Sequence, residues 1–208
     1  MVIPAFNERD WIGNVLDSVC SVPWLDEIIV VDDGSIDDTS SRAKEYPVKV
    51  IKMAKNVGKG GALQAGIEES SGDLLTFIDA DLVGLEEDHL TTLIEPLFND
   101  EEVMMTIGRF TKGKLSTNLS QMIAPILNGQ RGVRRKFVDR MPDFSGYRFG
   151  VEIFMSRYAM NHNVKTEEVI LEGLSQVLKE EKSGILKGTI ERYKMYGQLI
   201  KTLKDTGK

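Results

Sequence analysis

Asp79 and Asp81 end an apolar run, FIDADL at residues 77–82, and two carboxylates at that spacing are a partial site for a hard divalent cation. Residues i and i+2 of a strand share a face, so the pair would stand about 6.6 Å apart on a continuing strand, at about 3.3 Å per residue. At an effective dielectric of about 20 their repulsion is about 2.5 kcal/mol, a sizeable fraction of a domain's net stability. Something positive, or else water, is therefore expected between them. The plainer alternative is that both aspartates cap the next helix or bind surface water, and D-x-D alone does not separate the two.

Two further clusters carry groups of this kind. VDDGSIDDT (31–39) is not a calcium loop, because the twelfth position counted from Asp33 is Lys44, where a bidentate glutamate is needed. Asp37 or Asp38 serves as a cap for the helix that follows, which leaves Asp33 at the strand end to be explained. NVGKGGALQAG (56–66) places Gly58, Lys59, Gly60 and Gly61 before a helix, where backbone N–H groups and an ammonium can meet an anion. It is neither a P-loop, since Met53 stands where glycine is required, nor G-x-G-x-x-G, since Leu63 takes the last place.

The elements that must position these groups alternate. VIPA, EIIVVDD, VKVIKM and DLLTFID read as strands, and DWIGNVLDSV, DDTSSRAKEY, GALQAGIEES and DHLTTLIEPLF as the helices between them, the rhythm of a parallel α/β sheet. Ligands of such sheets bind beyond the carboxyl ends of the strands, and PAFNE (4–8), DDGS (32–35), NVGKGG (56–61) and DAD (79–81) would all crowd that edge. After the strand MMTIGRF (104–110) the spacing predicts a helix over about 116–128, a basic segment, a helix near 148–161, a short strand near VILE (169–172) and a last helix over about 185–204. The 208 residues, 41% of them hydrophobic, suit one domain, with residues 1–110 and 111–208 as its two halves.

Charge and composition narrow the classes. A net charge of −6 argues against a general nucleic-acid binder, whose phosphate contacts call for a basic surface. The exceptions are residues 131–140, with Arg131, Arg134, Arg135, Lys136 and Arg140, and the stretch from Lys179 onward, with eight Lys and Arg against four acids. Arg134, Arg135, Lys136 and Arg140 read most simply as a solvated helix face. Cys20 cannot form an internal disulfide and reads as helix packing. The apolar start lacks the basic region and cleavage site of a signal peptide, so the protein is expected in the cytoplasm. The last helix carries Leu186, Ile190, Tyr193, Ile200 and Leu203 at helical spacing among lysines, to pack on the domain or to lie on an anionic inner-membrane surface. The sequence also allows a homodimer.

The combination says more than its parts. VIPAFNE, IIVVDDGSIDDT, NVGKGGAL and FIDADL, in that order over residues 2–83, resemble glycosyltransferase family 2, in particular polyprenyl-phosphate glycosyltransferases and glucosyl-3-phosphoglycerate synthases. That resemblance implies a GT-A fold, a Rossmann-like, mostly parallel sheet flanked by helices, with a helical C-terminal extension. It also implies a UDP-sugar donor with Mg2+ or Mn2+ on its diphosphate. Position by position, Pro4 and Ala5 would line the nucleotide through their backbone with Glu8 close by, and Asp33 would accept from a uracil N–H. Lys59 would lie near the diphosphate, Asp79 would approach ribose and metal, and Asp81 would ligate the metal directly.

The second half resembles the family through NGQRGVRRKFV and SGYRFGVEIF. By that likeness Gln130 and Arg131 face a phosphorylated or lipid-linked acceptor, and Glu152 reaches the reaction centre from the start of a helix. Glu152 is the first choice for a general base in an inverting reaction and Asp143 the second; in a retaining reaction Glu152 would position the acceptor. One departure stands out: where relatives place a metal-binding histidine, this chain has Gln176, whose amide oxygen is a weaker ligand. His89 and His162 read as surface or packing histidines. Two rivals remain. FIDADLV also fits the motif of a phosphatase of the haloacid dehalogenase type, though that motif normally ends the first strand and here three strand-like runs precede it. A nucleotide-sugar-binding protein without activity is the other.

Overall fold

The computed structural model of the chain describes residues 1–110, 129–148 and 150–177. The helices expected over 116–128 and 185–204 lie outside the described residues. The elements run β1 (Val2–Ala5), α1 (Ile12–Val19), β2 (Ile29–Asp32), α2 (Thr39–Ala43), β3 (Lys49–Lys52), α3 (Lys59–Glu68), β4 (Leu74–Phe77), β5 (Leu82–Val83), α4 (Glu87–Asn99), β6 (Met105–Phe110), β7 (Arg131–Arg134), α5 (Arg135–Val138), α6 (Val151–Asn161), β8 (Thr166–Leu171) and β9 (Ser175–Gln176).

Seven strands form one sheet in the order β3-β2-β1-β4-β7-β6-β8. β7 alone runs antiparallel to its neighbours β4 and β6, and the other adjacent pairs are parallel. The central strands β1 and β2 are buried on both faces, which is why they read as unbroken apolar runs rather than alternating ones. Successive residues nevertheless serve opposite layers. Ile3 and Val30 pack with Ile12, Val15, Leu16, Leu90 and Leu93 of α1 and α4, whereas Val2, Ile29 and Val31 pack with Ala62, Leu63 and Ile67 of α3 and Phe154 of α6. β3, on the open edge, carries exposed Lys49 and Lys52 at its ends, residues that discourage pairing with another chain.

β7 corrects the expectation for the basic segment. Arg131–Arg134 is an interior strand, paired with β4 through Leu74↔Arg134 to Phe77↔Arg131 and with β6 through Met105↔Val133 to Ile107↔Arg131. Arg134 and Arg135 are fasteners instead of a solvated face, whereas Lys136 and Arg140 are exposed as expected. Arg134 Nε donates to the Val103 carbonyl at 2.9 Å, and Arg135 donates to the carbonyls of Gly72 at 2.7 Å and Ser70 at 3.0 Å. Gly132 admits this strand, since a Cβ there would stand 2.9 Å from the Leu93 carbonyl. Both histidines are structural. His89 Nδ1 accepts from the Glu86 N–H at 3.0 Å in a capping box at the start of α4, and His162 stacks on Tyr158 with ring centroids 4.1 Å apart.

Candidate active site

Strand order reverses direction of growth between β1 and β4, and the loops that follow β1, β2, β3 and β4 meet beyond the carboxyl ends there. Cross-ties hold the first two loops together. The Asp33 N–H donates to the Ala5 carbonyl at 2.8 Å, extending the ladder by one residue. Asn7, at φ 56°, donates its N–H to Ser35 Oγ at 2.9 Å and accepts from the Ile36 N–H at 3.0 Å. The Glu8 N–H donates to Thr39 Oγ1 at 2.9 Å while its carbonyl starts α1. Pro4 and Ala5 are buried beneath this rim.

The glycine-rich loop behaves differently from a phosphate cradle. Asp33 accepts from the N–H groups of Val57 at 2.7 Å and Gly58 at 2.8 Å, and the N–H groups of Lys59 and Gly60 donate to the carbonyls of Arg148 at 2.9 Å and Tyr147 at 3.1 Å. The four successive donors are thus taken by the chain itself, and the anion-binding contribution of this loop reduces to the Lys59 side chain. Burial pushes the Asp33 carboxyl up, against the pull of those two N–H groups. Asp32, absent from the sequence reading, is wholly enclosed: it accepts from the Ser35 N–H at 2.8 Å and from the Ser40 hydroxyl. A buried Asp-Asp pair followed by small hydroxyl residues was the available signal, but nothing in the sequence says which aspartate turns inward.

β4 ends at Phe77, so Asp79 and Asp81 lie in the turn beyond the strand rather than on it, contrary to the spacing argument. A cation and an amide stand between the like charges. Lys59 Nζ contacts Asp79 Oδ1 and lies 2.6 Å from Glu152 Oε1. Gln176 Nε2 bridges the two aspartates, donating to Asp79 Oδ2 at 2.6 Å and Asp81 Oδ1 at 3.0 Å. β9 places it there by pairing with β5, Leu82↔Gln176, and by the Val177 N–H donating to the Asp81 carbonyl at 3.1 Å. Gln130 Nε2 approaches Asp79 Oδ2 at 3.3 Å from below.

Asp79 and Glu152 are each 9% exposed. Burial raises the Asp79 carboxyl, and Asp81 and Glu152 add to that while Lys59 opposes it. Burial would raise Glu152 too, but Lys59 and Arg131 hold it below the usual carboxylate range. For Lys59 burial favours the neutral amine, and the two carboxylates outweigh it, so the ammonium persists. Arg131 is 1% exposed and donates to the Glu152 carbonyl at 3.1 Å and Ser156 Oγ at 3.2 Å; burial lowers it to about 10. It therefore sits inside the layer against α6. Asp143 turns back on Ser145, accepting its N–H at 2.8 Å and its hydroxyl at 3.1 Å, and is not among the groups gathered at Lys59.

Among the described residues no three His, Cys, Asp or Glu side chains form a metal cluster. Two carboxylates and a carboxamide do converge; the carboxamide presents its nitrogen, and with that amide turned over the three would offer an all-oxygen set suited to Mg2+ or Mn2+, with substrate phosphates completing the shell. Among the described residues, three carboxylates face one lysine and one arginine, so a divalent cation would turn a net negative floor positive, as a diphosphate requires.

The chain belongs to glycosyl transferase family 2, whose model matches residues 1–154. Its sheet, with helices on both faces, is the GT-A arrangement expected from the sequence. Among relatives, it is 29% identical to glucosyl-3-phosphoglycerate synthase of Mycobacterium tuberculosis over 189 residues, 74% of this chain and 58% of that protein. It is 36% identical to dolichol-phosphate mannosyltransferase of Pyrococcus furiosus over 119 residues, 54% of this chain and 33% of that protein. The chain thus spans about a third to three-fifths of the length of these curated relatives. The crystal structure of the M. tuberculosis synthase with Mn2+, uridine diphosphate and phosphoglyceric acid matches with a TM-score of 0.81 at 26% identity, over 99% of this chain and 76% of that one. Its complex with Mg2+ and uridine diphosphate matches at 0.80.

Proposed function

We propose that this chain is a metal-dependent hexosyltransferase that moves a sugar from a UDP-sugar to a hydroxyl or phosphate of a small phosphorylated or lipid-linked acceptor. The observation that carries the reading is the convergence of Asp79, Asp81, Gln176, Lys59 and Glu152 at the switch point of a family 2 fold. The relatives whose structures hold Mn2+ or Mg2+ with uridine diphosphate support it.

In this reading Pro4 and Ala5 line the nucleotide, Glu8 stands near it, and Asp33 accepts from the base while its oxygens also pin the Val57–Gly58 loop. Asp79 and Asp81 hold the cation, with the Gln176 carboxamide turned to present its oxygen as a third group. A cation so held supplies positive charge to the departing diphosphate. Lys59 supplies a second, fixed positive charge from the opposite side of Asp79. Glu152, kept ionised by Lys59, takes the proton of the acceptor hydroxyl in an inverting reaction or orients that hydroxyl in a retaining one, and Arg131 acts through the Glu152 carbonyl, holding the first turn of α6 in place. Among the described residues no helix is long and apolar enough to cross a membrane. Contact with an anionic membrane through residues beyond 177 is part of the proposal only for a lipid-linked acceptor, and flotation with anionic liposomes tests it.

The central test is thermal unfolding with uridine diphosphate, with and without Mn2+ or Mg2+. A ligand at about a hundred times its Kd stabilises by about 2.7 kcal/mol, a shift of several degrees. The shift should require the metal and vanish in Asp81→Ala; a response unaltered by the mutation would remove the metal assignment. Hydrolysis of the UDP-sugar separates an enzyme from a nucleotide-sugar-binding protein, and phosphate-ester turnover without a sugar donor would favour the phosphatase alternative.

A further inference from the structure

Gln130 is 0% exposed; its carbonyl accepts from the Gly108 N–H at 3.0 Å and its Nε2 donates to Asp79 Oδ2 at 3.3 Å. Its Oε1 is buried with no hydrogen-bond partner among the described residues. Turning the amide over would set Oε1 against the Asp79 oxygen, so the carboxylate dictates which way it faces. The preceding Gly129 lies directly against the Asp79 carboxylate and the Lys59 ammonium, so that a Cβ there would displace them, which sets the backbone of this segment on the floor of the site. An unpaired buried acceptor is costly, and such exceptions concentrate where a ligand completes them.

The chemistry of the missing partner follows from the atom. A carboxamide oxygen only accepts, so it repels phosphate and takes O–H or N–H. Asp79 links Gln130 to Lys59 and, through Gln176, to Asp81, where the reading above puts the diphosphate. Hydroxyl donors flank a sugar-nucleotide's diphosphate on both sides: the ribose, which the reading above leaves with the nucleotide at Pro4, Ala5 and Asp33, and the hexose, which lies toward Lys59 and Glu152, the side to which Asp79 ties Gln130. Resting on that reading, we propose that Gln130 Oε1 accepts a hydrogen bond from a hydroxyl of the donor hexose, making Gln130 a donor-specificity residue rather than an acceptor-binding one.

The test is the ratio of the Kd for a UDP-hexose to the Kd for UDP, both measured with Mn2+ by calorimetry, using the UDP-hexose that binds the wild type best. In Gln130→Leu and Gln130→Met the ratio should rise about tenfold while UDP affinity changes little. A role confined to holding Asp79 would weaken both ligands together and leave the ratio unchanged, and that result overturns the proposal. Independently of any variant, one of a set of monodeoxy UDP-hexoses should bind the wild type about tenfold more weakly than its parent; uniform binding across the set overturns the proposal as well. Failure of wild-type protein to bind UDP with Mn2+ would instead strike the transferase reading itself.

Discussion

Lys59 is the residue on which the site's electrostatics turn. It is the first residue of α3, yet its ammonium joins a carboxylate beyond β4 to one on α6, so three elements share one proton-rich group. The folded Glu152 carboxyl lies below its ordinary 4.5, so its contribution to stability is complete above 4.5 and is lost as the pH falls through the lowered value. Asp79 runs the other way: its folded value is raised above 3.8, so its contribution declines as the pH rises through that raised value. Comparing wild type with Glu152→Gln isolates the first trend. The variant should be less stable at neutral pH by about 1–3 kcal/mol, because Lys59 keeps Asp79 as a partner, and the gap should close below pH 4.5 in urea unfolding. A gap independent of pH would mean that the Lys59–Glu152 pair contributes nothing. Lys59→Met should lower donor turnover by about a hundredfold or more, as loss of a fixed charge at a leaving group does, while stability falls as well.

At the scale of elements, the decisive joint is the one between the start of α3 and the loop over residues 144–148. Gly58 has φ 96° and packs against the Arg148 backbone, and Gly60 lies against the carbonyls of Phe144 and Tyr147. Arg148 closes the joint by donating to the Asn56 carbonyl at 3.2 Å and to the Asn56 side chain. The loop therefore transmits the position of the nucleotide-side strands to α6 and Glu152. Gly60→Ala should separate the two and cost about 2–4 kcal/mol, the range for overpacking combined with lost backbone hydrogen bonds. Its effect on donor turnover should exceed its effect on UDP affinity, read as a kcat change larger than the KM change. Equal losses in both would show that the joint serves the nucleotide pocket alone.

For the molecule as a whole, β7 settles how the two expected halves relate. Chain from beyond residue 110 enters the sheet between β4 and β6, and β8 follows it on the far side of β6. The boundary drawn at residue 110 therefore does not divide the sheet. The expected outcome in calorimetry is one cooperative transition whose measured enthalpy equals the van't Hoff value, shifted as a unit by UDP with Mn2+. Two transitions, only one of them responsive to ligand, would argue that the halves fold separately.

The alternation of strands and helices through residue 110, the crowding of PAFNE, DDGS, NVGKGG and DAD at one edge, and the family were legible in the sequence, because apolar periodicity and turn residues act locally and in order. Gln176 could be flagged by position, but its bridge between Asp79 and Asp81 depends on β9 returning 97 residues later in the chain to Asp79. The family likeness turns Arg131 toward an acceptor, but only the insertion of β7 between two strands shows that its guanidinium has backbone and hydroxyl partners inside. The glycine-rich loop, too, reads as open to an anion, but Asp33 takes the N–H groups of Val57 and Gly58 and the 144–148 segment those of Lys59 and Gly60. Local chemistry selects which residues are able to act, whereas long-range packing decides which hydrogen-bonding atoms are already satisfied and which, like Gln130 Oε1, are left for a ligand.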